Sequence, residues 1–560
     1  MEATQMRFAK CQHALVHASR LFHTARHLRP VQIYSHLWFQ TYRPTPDLTP
    51  APEIRVRRGC WQHPARHLAS LLNEDAFRFL NERHAIEAPS DWNHPTWEKL
   101  WLYNLHCFDD LNAEDAEDRT GRHRTLIARW LAENPPAVGI GWEPYPISMR
   151  LVNWIKWALA GNPLAPAWVR SLAVQARHLR RRLEYHLLGN HLLANAKALV
   201  FASLFFGGDE ARRWLEKGLA MLDRELNEQI LPDGGHFELS PMYHSVVLED
   251  LLDLLNLLRA YPDAGVDPAW EARLRGLAEA MREWLAMMCH PDGEIALFND
   301  AAFGIACPPA ELDAYAARLG LPDCAPGSEP IRHLADAGYI RLDQGVACAL
   351  LDVARIGPDY IPGHAHADTL SFELSLFGQR VLVNSGTSRY GTSPERERQR
   401  GTAAHNTVVI DRQDSSEVWS GFRVARRAQP KDLQVESVQD GIQVHCAHNG
   451  YRRLPGSPLH KRRWKLGQGC LAVRDEIEGP YTEAQARFYF HPDISVEISA
   501  GCSRGRLRMP GGQAVGLEIR AGNGVLEKTT YHPRFGVSEP NSCLCVSLSE
   551  QTSEVEFHWD

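Results

Sequence analysis

The segment Tyr339-Ile-Arg-Leu-Asp-Gln-Gly-Val-Ala-Cys-Ala-Leu-Leu-Asp-Val353 has the pattern of two β-strands joined by a turn at Asp343-Gln-Gly. A period of two along both runs indicates strands with one buried face. The same pattern recurs at residues 371–383, 432–446, 470–476, 486–491, 494–499 and 543–559. Antiparallel hairpins in this number need a second layer over their apolar faces. We therefore predict an antiparallel β-sandwich for residues 330–560.

Residues 1–320 show a helical period instead. In Val246-Val-Leu-Glu-Asp-Leu-Leu-Asp-Leu-Leu-Asn-Leu-Leu258, apolar residues recur at steps of three and four. Similar runs occupy residues 171–188, 191–206, 210–227 and 269–289. Amphipathic helices of similar length with short Pro-, Gly- and Asp-containing connections indicate stacked helical hairpins, although the period alone does not show whether they close into a ring. The linker is predicted near Cys307-Pro-Pro and at 324–330.

The composition is that of an ordinary globular protein. A chain of 560 residues is too long to fold around a single compact core, so at least two domains are expected. Its net charge of −7 argues against a nucleic-acid partner. No apolar run is long enough for a membrane span, which needs about 18 residues. The N-terminus lacks the apolar segment of a secretory signal and the 12 cysteines form no CxxC pair. We expect a cytoplasmic protein with reduced thiols, or a periplasmic one if the true start codon lies elsewhere.

The segment Pro362-Gly-His-Ala-His-Ala-Asp-Thr-Leu-Ser-Phe-Glu-Leu374 places His364, His366 and Asp368 at alternate positions. In an extended strand these side chains share one face. Two imidazoles and a carboxylate are unfavourable in a core unless each finds a partner, so the segment indicates a functional site. Histidines hydrogen-bonded at a sheet surface are the structural alternative. His405 also precedes an apolar run, Val408-Val-Ile.

Polar residues in the helical half mark further candidate positions. Asn190 and His191 open an otherwise apolar helical run, where Asn190 alone is as easily explained as a helix N-cap. Tyr243 precedes the Leu-rich run, a place where tyrosines usually pack.

Arg150 and Asn153 lie one helical turn apart and are able to reach a shared anion. His236 and Glu238 stand in the segment that leads to Tyr243. None of these positions is specific when taken alone.

The order of the segments resembles the heparinase II/III-like polysaccharide lyases and their alginate-lyase relatives, from about Trp92 to His405. The motifs that carry the resemblance are Asn190-His191, Ser240-Pro-Met-Tyr243, Gly363-His-Ala-His-Ala-Asp368 and Ala404-His-Asn-Thr407. The resemblance implies an N-terminal incomplete (α/α) toroid, a C-terminal antiparallel β-sandwich and a cleft to which both contribute.

The implied reaction is β-elimination at a uronic acid in an acidic polysaccharide or oligosaccharide. The C5 proton becomes acidic only when the sugar carboxylate is neutralised, and a base and an acid must then act at C5 and at the leaving oxygen. By resemblance, Asn190 and His191 neutralise the carboxylate. Tyr243 acts as base, as acid or as both, and His364 is the second acid/base group.

The resemblance also implies substrate contacts and a metal site. The substrate contacts are Arg150, Asn153, His236, Glu238, Tyr390 and Arg400. The metal, usually zinc, is structural and falls on His366, Asn384 and His405. Asn384 departs from the family pattern, since a neutral amide is a poorer zinc ligand than a carboxylate. Asp368 either replaces it as a ligand or fixes a histidine tautomer.

Two other functions compete with the lyase. One is a non-catalytic, glycan-binding member of a surface-polysaccharide biosynthesis system. The other is a glycoside hydrolase, which requires two carboxylates flanking the scissile bond. Glu238 and Asp368 are the candidates for that pair, but nothing in their surroundings marks them as one.

Overall fold

The computed structural model describes residues 2–324, 327–498 and 503–560, with side chains from residue 14 onward. Most of its helices precede residue 320, as the change of period predicts. The α-helices are α1 Glu2–Ala25, α2 Pro30–Thr41, α3 Lys99–Cys107, α4 Thr120–Glu133, α5 Pro144–Leu159, α6 Pro166–Arg181, α7 Gly189–Phe205, α8 Gly208–Gln229, α9 Pro241–Ala260, α10 Ala269–Met287, α11 Pro309–Arg318 and α12 Pro394–Arg400. Within the described ranges, none of them has the length and apolar character that crossing a bilayer requires.

The helices form two layers of an incomplete (α/α) toroid. Helices α3, α5, α7, α9 and α11 contact one another in that order, while α6, α8 and α10 pack against them. Helix α7 is apolar on all sides and almost fully buried, whereas α8 buries only one stripe, so α7 belongs to the inner layer and α8 to the outer. Gly218 allows the close approach of these two helices, because a Cβ there would lie 2.8 Å from Val200 Cγ2.

The strands follow mainly after residue 330. They are β1 Ala76–Phe79, β2 Glu82–Ala85, β3 Ile331–Leu334, β4 Tyr339–Gln344, β5 Ala347–Asp352, β6 Phe372–Leu376, β7 Gln379–Leu382, β8 Val408–Ile410, β9 Val418–Trp419, β10 Arg423–Val424, β11 Pro430–Val438, β12 Gly441–His448, β13 Leu459–Gly467, β14 Cys470–Glu478, β15 Ala484–Phe490, β16 Ser495–Ile498, β17 Arg504–Arg508, β18 Ala514–Ala521, β19 Asn523–Tyr531, β20 Glu539–Ser547 and β21 Thr552–His558.

Two large antiparallel sheets build the predicted sandwich. One has the strand order β11-β12-β13-β14-β21-β18-β17-β16, and the other has the order β19-β20-β15-β7-β6-β5-β4-β3, with β8 paired to β15. Their facing sides share one apolar core, which includes Trp464 and Phe557 of the first sheet and Phe372 and Phe488 of the second.

Several predicted boundaries differ from the structure. The helix predicted over residues 171–188 already ends at Arg181. The short helix α11 lies between the two segments that were predicted as the linker. Residues 325 and 326 of that linker, and residue 499 of the strand predicted at 494–499, lie outside the described residues.

The segment that carries His364, His366 and Asp368 is not a strand. Residues 353–371 form turns and irregular backbone between β5 and β6. Pro358 and Pro362 have no N–H for a ladder. The carbonyl of Ala365 accepts its hydrogen bonds from the Arg400 guanidinium, at 3.1 Å from Nε and 2.8 Å from Nη2. The alternating histidines are therefore arranged by side-chain contacts rather than by a pleat.

Candidate active site

Tyr243, His364 and Tyr390 form one cluster. Tyr243 lies in the first turn of α9, where Ser240 caps the helix by accepting a hydrogen bond from the Tyr243 N–H at 3.2 Å. The Tyr243 hydroxyl is 2.9 Å from the Tyr390 hydroxyl. Its ring lies over the His364 imidazole, with centroids 3.9 Å apart. The structure thus brings a tyrosine of the helical half together with a histidine and a tyrosine of the second half.

Asp300 holds this cluster in place, and sequence reasoning missed it. Its fully buried carboxylate lies 2.9 Å from Nδ1 of His364 and 2.9 Å from Nε2 of His366, and the Arg396 guanidinium pairs with both of its oxygens. The only signal in the sequence is an Asn-Asp pair at the end of the apolar run Ile295–Phe298.

The ionisation of Asp300 defines the tautomer of His364. Burial opposes the charge, but Arg396 and the two histidines outweigh it and hold the pKa of Asp300 well below its usual range. Because an ionised carboxylate only accepts hydrogen bonds, Nδ1 of His364 carries a proton. In the neutral imidazole Nε2 then has the lone pair, and this atom lies 3.5 Å from Oε2 of Glu238.

Glu238 connects His364 to Asn190. Its carboxylate is buried, faces the backbone N–H of Asn190, and has a pKa that burial raises above the usual value. Gly189 makes this contact possible: its φ is +55°, and a Cβ there would lie 2.9 Å from Oε1 of Glu238 and 2.7 Å from Ile361. Within the described residues, no hydrogen bond is formed by the Asn190 side-chain amide, so it is free for a ligand.

His191 lies beside a buried carboxylate that favours its protonated form. Its Nδ1 lies 3.2 Å from the Glu184 carboxylate, and its ring is 4.7 Å from that of Tyr145. Burial disfavours the imidazolium, but Glu184 outweighs this effect and the pKa of His191 is raised.

A cavity of about 680 Å³ adjoins this cluster. Tyr145 and Tyr243, the ring neighbours of His191 and His364, line it together with Tyr390 and Asn153. The Asn153 amide already donates to the Cys107 carbonyl at 3.0 Å and to Asp109 at 2.6 Å. Asn153 is therefore a wall residue whose donors are occupied.

Three predicted sugar contacts are contradicted by burial. The Arg150 guanidinium is fully buried and donates to Gln175 and to the carbonyls of His106 and Gly141. The Arg400 guanidinium donates hydrogen bonds to the backbone carbonyls of Ala365 and Gly421. The His236 side chain is buried, with its Nε2 3.2 Å from the Gln229 side-chain oxygen. Both guanidinium groups are buried and each of their nitrogens already donates a hydrogen bond within the protein, so these two side chains support the fold.

The predicted metal ligands lie together but do not form the expected ligand set. Nδ1 of His366 and Nε2 of His405 are buried without a partner, which suits a metal, and their ring centroids are 5.2 Å apart. The Asn384 side-chain oxygen, however, lies 3.2 Å from Nδ1 of His405, and it is neutral. Asp368 does not replace it, since it accepts the Asn299 N–H and belongs to none of the metal-compatible groups in the described residues. The residues do not fit a zinc site.

Two family models match most of the chain. Residues 136–306 match the model "Heparinase II/III N-terminus", and residues 326–560 match "Heparinase II/III-like, C-terminal". The chain belongs to the heparinase II/III-like family. Among solved structures, a heparinase III aligns with a TM-score of 0.64 at 18% identity, covering 82% of this chain and 76% of that one. A heparan sulfate lyase from Pedobacter heparinus gives a TM-score of 0.56 at 17% identity over 86% and 80% of the two chains. These likenesses show the fold.

Curated relatives of this heparinase II/III-like chain carry two kinds of name. A heparin-sulfate lyase of Bacteroides stercoris is 26% identical over 302 residues, which are 50% of this chain and 45% of that protein. FtsZ-localized protein C of Caulobacter vibrioides is 27% identical over 441 residues, or 72% and 71% of the two chains. The chain spans less than half the length of the heparin-sulfate lyases that it matches.

Replacing Asp300 is expected to destabilise the protein strongly. Asp300→Asn leaves the buried Arg396 guanidinium without its counter-charge, and breaking a buried pair in this way costs about 3–5 kcal/mol. We expect that loss in the free energy of unfolding, measured by denaturant titration at neutral pH.

Glu483→Gln is the matched control, because it breaks the exposed Arg412–Glu483 pair and should cost less than about 1 kcal/mol. If Asp300→Asn cost no more than this control, Asp300 would not be the charge that balances Arg396.

Proposed function

We propose that this heparinase II/III-like protein is a polysaccharide lyase that cleaves a uronic-acid-containing glycan by β-elimination. The observation that carries the proposal is the Tyr243–His364–Tyr390 cluster, whose tyrosines line the cavity, with Asn190 and His191 near it around Glu238. Substrates of this class include heparin- or heparan-like chains, alginate-like chains and capsular or extracellular polysaccharides. The names of the heparin-sulfate lyases among the relatives support the reaction class.

Neutralisation of the sugar carboxylate is assigned to Asn190 and His191. The free Asn190 amide donates one hydrogen bond, and His191, whose pKa is raised by Glu184 against the effect of burial, supplies positive charge. Donors aimed at the carboxylate stabilise the enolate-like charge that develops when the C5 proton leaves.

Proton removal is assigned to Nε2 of His364. Asp300 holds the proton on Nδ1, so the lone pair on Nε2 is available as a base. Burial raises the pKa of the neighbouring Glu238, which limits the negative charge beside Nε2 of His364.

Protonation of the leaving oxygen is assigned to Tyr243. Burial, together with Tyr390, raises the pKa of Tyr243 well above its ordinary value, so the hydroxyl retains its proton at neutral pH. Tyr390 lies within hydrogen-bond distance and is able to return a proton to Tyr243 between turnovers. A protonated phenol beside a base is the acid/base pair that elimination needs.

A glycan-binding role without catalysis in a surface-polysaccharide biosynthesis system is the second candidate. One observation favours it: a relative that aligns over 71% of its own length is named for localisation with FtsZ and not for an enzymatic activity. Under this alternative the protein binds acidic glycans and leaves them intact.

Loss of either acid/base group is expected to abolish most of the turnover. We expect Tyr243→Phe and His364→Ala each to lower kcat by at least about 100-fold, the contribution typical of a general acid or base. Heparosan, heparan sulfate, alginate and hyaluronan are the test substrates, and the ultraviolet absorbance of the unsaturated product is the readout.

Tyr261→Phe and His445→Ala are matched controls, since both residues lie outside the cavity lining. Near-wild-type rates in either site variant would show that the acid and base are elsewhere. Binding of a glycan by the wild type without any new absorbance would instead support the non-catalytic alternative.

The pH dependence tests the role of His191. Because Glu184 raises the pKa of His191, the imidazolium persists to higher pH than in a free histidine and is lost as pH rises through that pKa. Glu184→Gln keeps the contacts with Asn195 but removes the charge, so the alkaline limb of the kcat/KM profile should move to lower pH. An unchanged alkaline limb would exclude His191 as the titrating group.

A further inference from the structure

A second cluster of reactive side chains lies along the same cavity and has no part in the proposed elimination. It consists of His67, Glu249 and Cys307, all of which line the cavity. Glu249 follows Tyr243 on α9 by six residues, which corresponds to about 9 Å along the helix. The cluster is therefore separate from the tyrosine–histidine site.

The three side chains converge from distant parts of the chain. His67 precedes β1, Glu249 belongs to α9, and Cys307 lies just before α11. Nε2 of His67 is 3.1 and 3.0 Å from the two carboxylate oxygens of Glu249. One ligand atom from each of the three residues lies within 4.8 Å of the others. Such a spacing allows all three atoms to contact a single ion after small rotations.

The surrounding charge favours a cation. Lys156 and Lys197 both donate to Asp253, at 3.0 and 2.7 Å, and Lys197 also donates to Asp250 at 2.6 Å. Their two positive charges are thus taken up by these two carboxylates. Glu249 has only a longer contact with Lys156, at 3.7 Å, so its charge is balanced mainly by His67.

The ligand types identify the class of ion. An imidazole, a carboxylate and a thiolate together suit zinc, which binds N, O and S donors in tetrahedral sites. Glu249 and Cys307 are buried while His67 is half-buried, so a fourth position would face the cavity. Without a metal, burial raises the pKa of the Cys307 thiol to about 11, and the thiol makes a weak hydrogen bond of 3.7 Å to the Arg66 carbonyl. A bound metal would displace that proton.

We propose that His67, Glu249 and Cys307 bind one zinc-type divalent cation, with a fourth coordination position open to the cavity. This site differs in position and in ligand chemistry from the His366, Asn384 and His405 group, which contains no thiol. The proposal does not depend on the elimination reaction, because it concerns binding of the metal alone.

Cobalt substitution tests the proposal. The full chain is treated with a chelator, the chelator is removed, and Co²⁺ is added while the near-ultraviolet and visible spectra are recorded. We expect a sulfur-to-cobalt charge-transfer band that saturates at one equivalent and disappears when Zn²⁺ is added. Cys307→Ser should abolish this band. His67→Gln should weaken Co²⁺ binding by at least about tenfold, since even partners that only orient a metal ligand contribute that much.

Two controls separate this site from others. Cys289→Ser removes a different thiol of the helical half and should leave the band intact. The double variant His366→Ala/His405→Ala should also retain it. Circular dichroism confirms that each variant is folded. Absence of a thiolate band in the wild type, or its persistence in Cys307→Ser, would overturn the proposal and leave the His67–Glu249 contact as an ion pair.

Discussion

The buried ion pair between Asp300 and Arg396 is the interaction on which the candidate site depends. A single carboxylate accepts from a guanidinium and from two imidazoles, and all four groups are withdrawn from water apart from the edge of His364. Charges in such surroundings are stable only when they are matched, so each group fixes the state of the others. The ring orientation and tautomer of His364 are therefore properties of the whole cluster.

The same pair also joins the two halves of the molecule. Asp300 lies between α10 and α11 of the helical half, and Ser240, the cap of α9, donates to the Asp300 carbonyl oxygen at 2.6 Å. Arg396 lies on α12, beyond the first strands of the sandwich. Tyr243 and His364 consequently approach each other only when helices and sheets are correctly assembled. The Asp300–Arg396 pair therefore holds residues of both halves together at the site, although no single helix or strand of the described residues belongs to both halves.

The fold could be predicted from the sequence because its signals are long and periodic. Helix α8 buries one stripe of residues at the helical period, and the hairpins β4–β5 and β6–β7 lie where the sequence indicates a period of two. Residues 353–371 could not be predicted, since the alternation of His364, His366 and Asp368 imitates a strand although the backbone is irregular. The spacing of residues in this segment does not show that the Ala365 carbonyl accepts hydrogen bonds from the Arg400 guanidinium and not from a neighbouring strand.

The site was only partly predictable for the same reason. Asn190, His191, Tyr243 and His364 stand in recognisable motifs, whereas Asp300 is one acidic residue among 68 and gains its importance from contacts distant in sequence. Arg150 was expected to contact the sugar because it lies one helical turn from Asn153, and Arg400 was expected to do so from the family resemblance. In the structure both guanidinium groups are buried and donate to backbone carbonyls, those of His106 and Gly141 for Arg150 and those of Ala365 and Gly421 for Arg400. Only the tertiary structure shows whether an arginine is available to a sugar or donates to the protein backbone.

The tautomer of His364 is the most direct test of this account. Nitrogen-15 NMR of protein with labelled histidine resolves protonated from unprotonated ring nitrogens, and His364→Ala identifies the signals. We predict a proton on Nδ1 and a lone pair on Nε2 in the neutral imidazole. A neutral His364 with its proton on Nε2 would show that Asp300 does not hold the ring, and would contradict the assignment of the base.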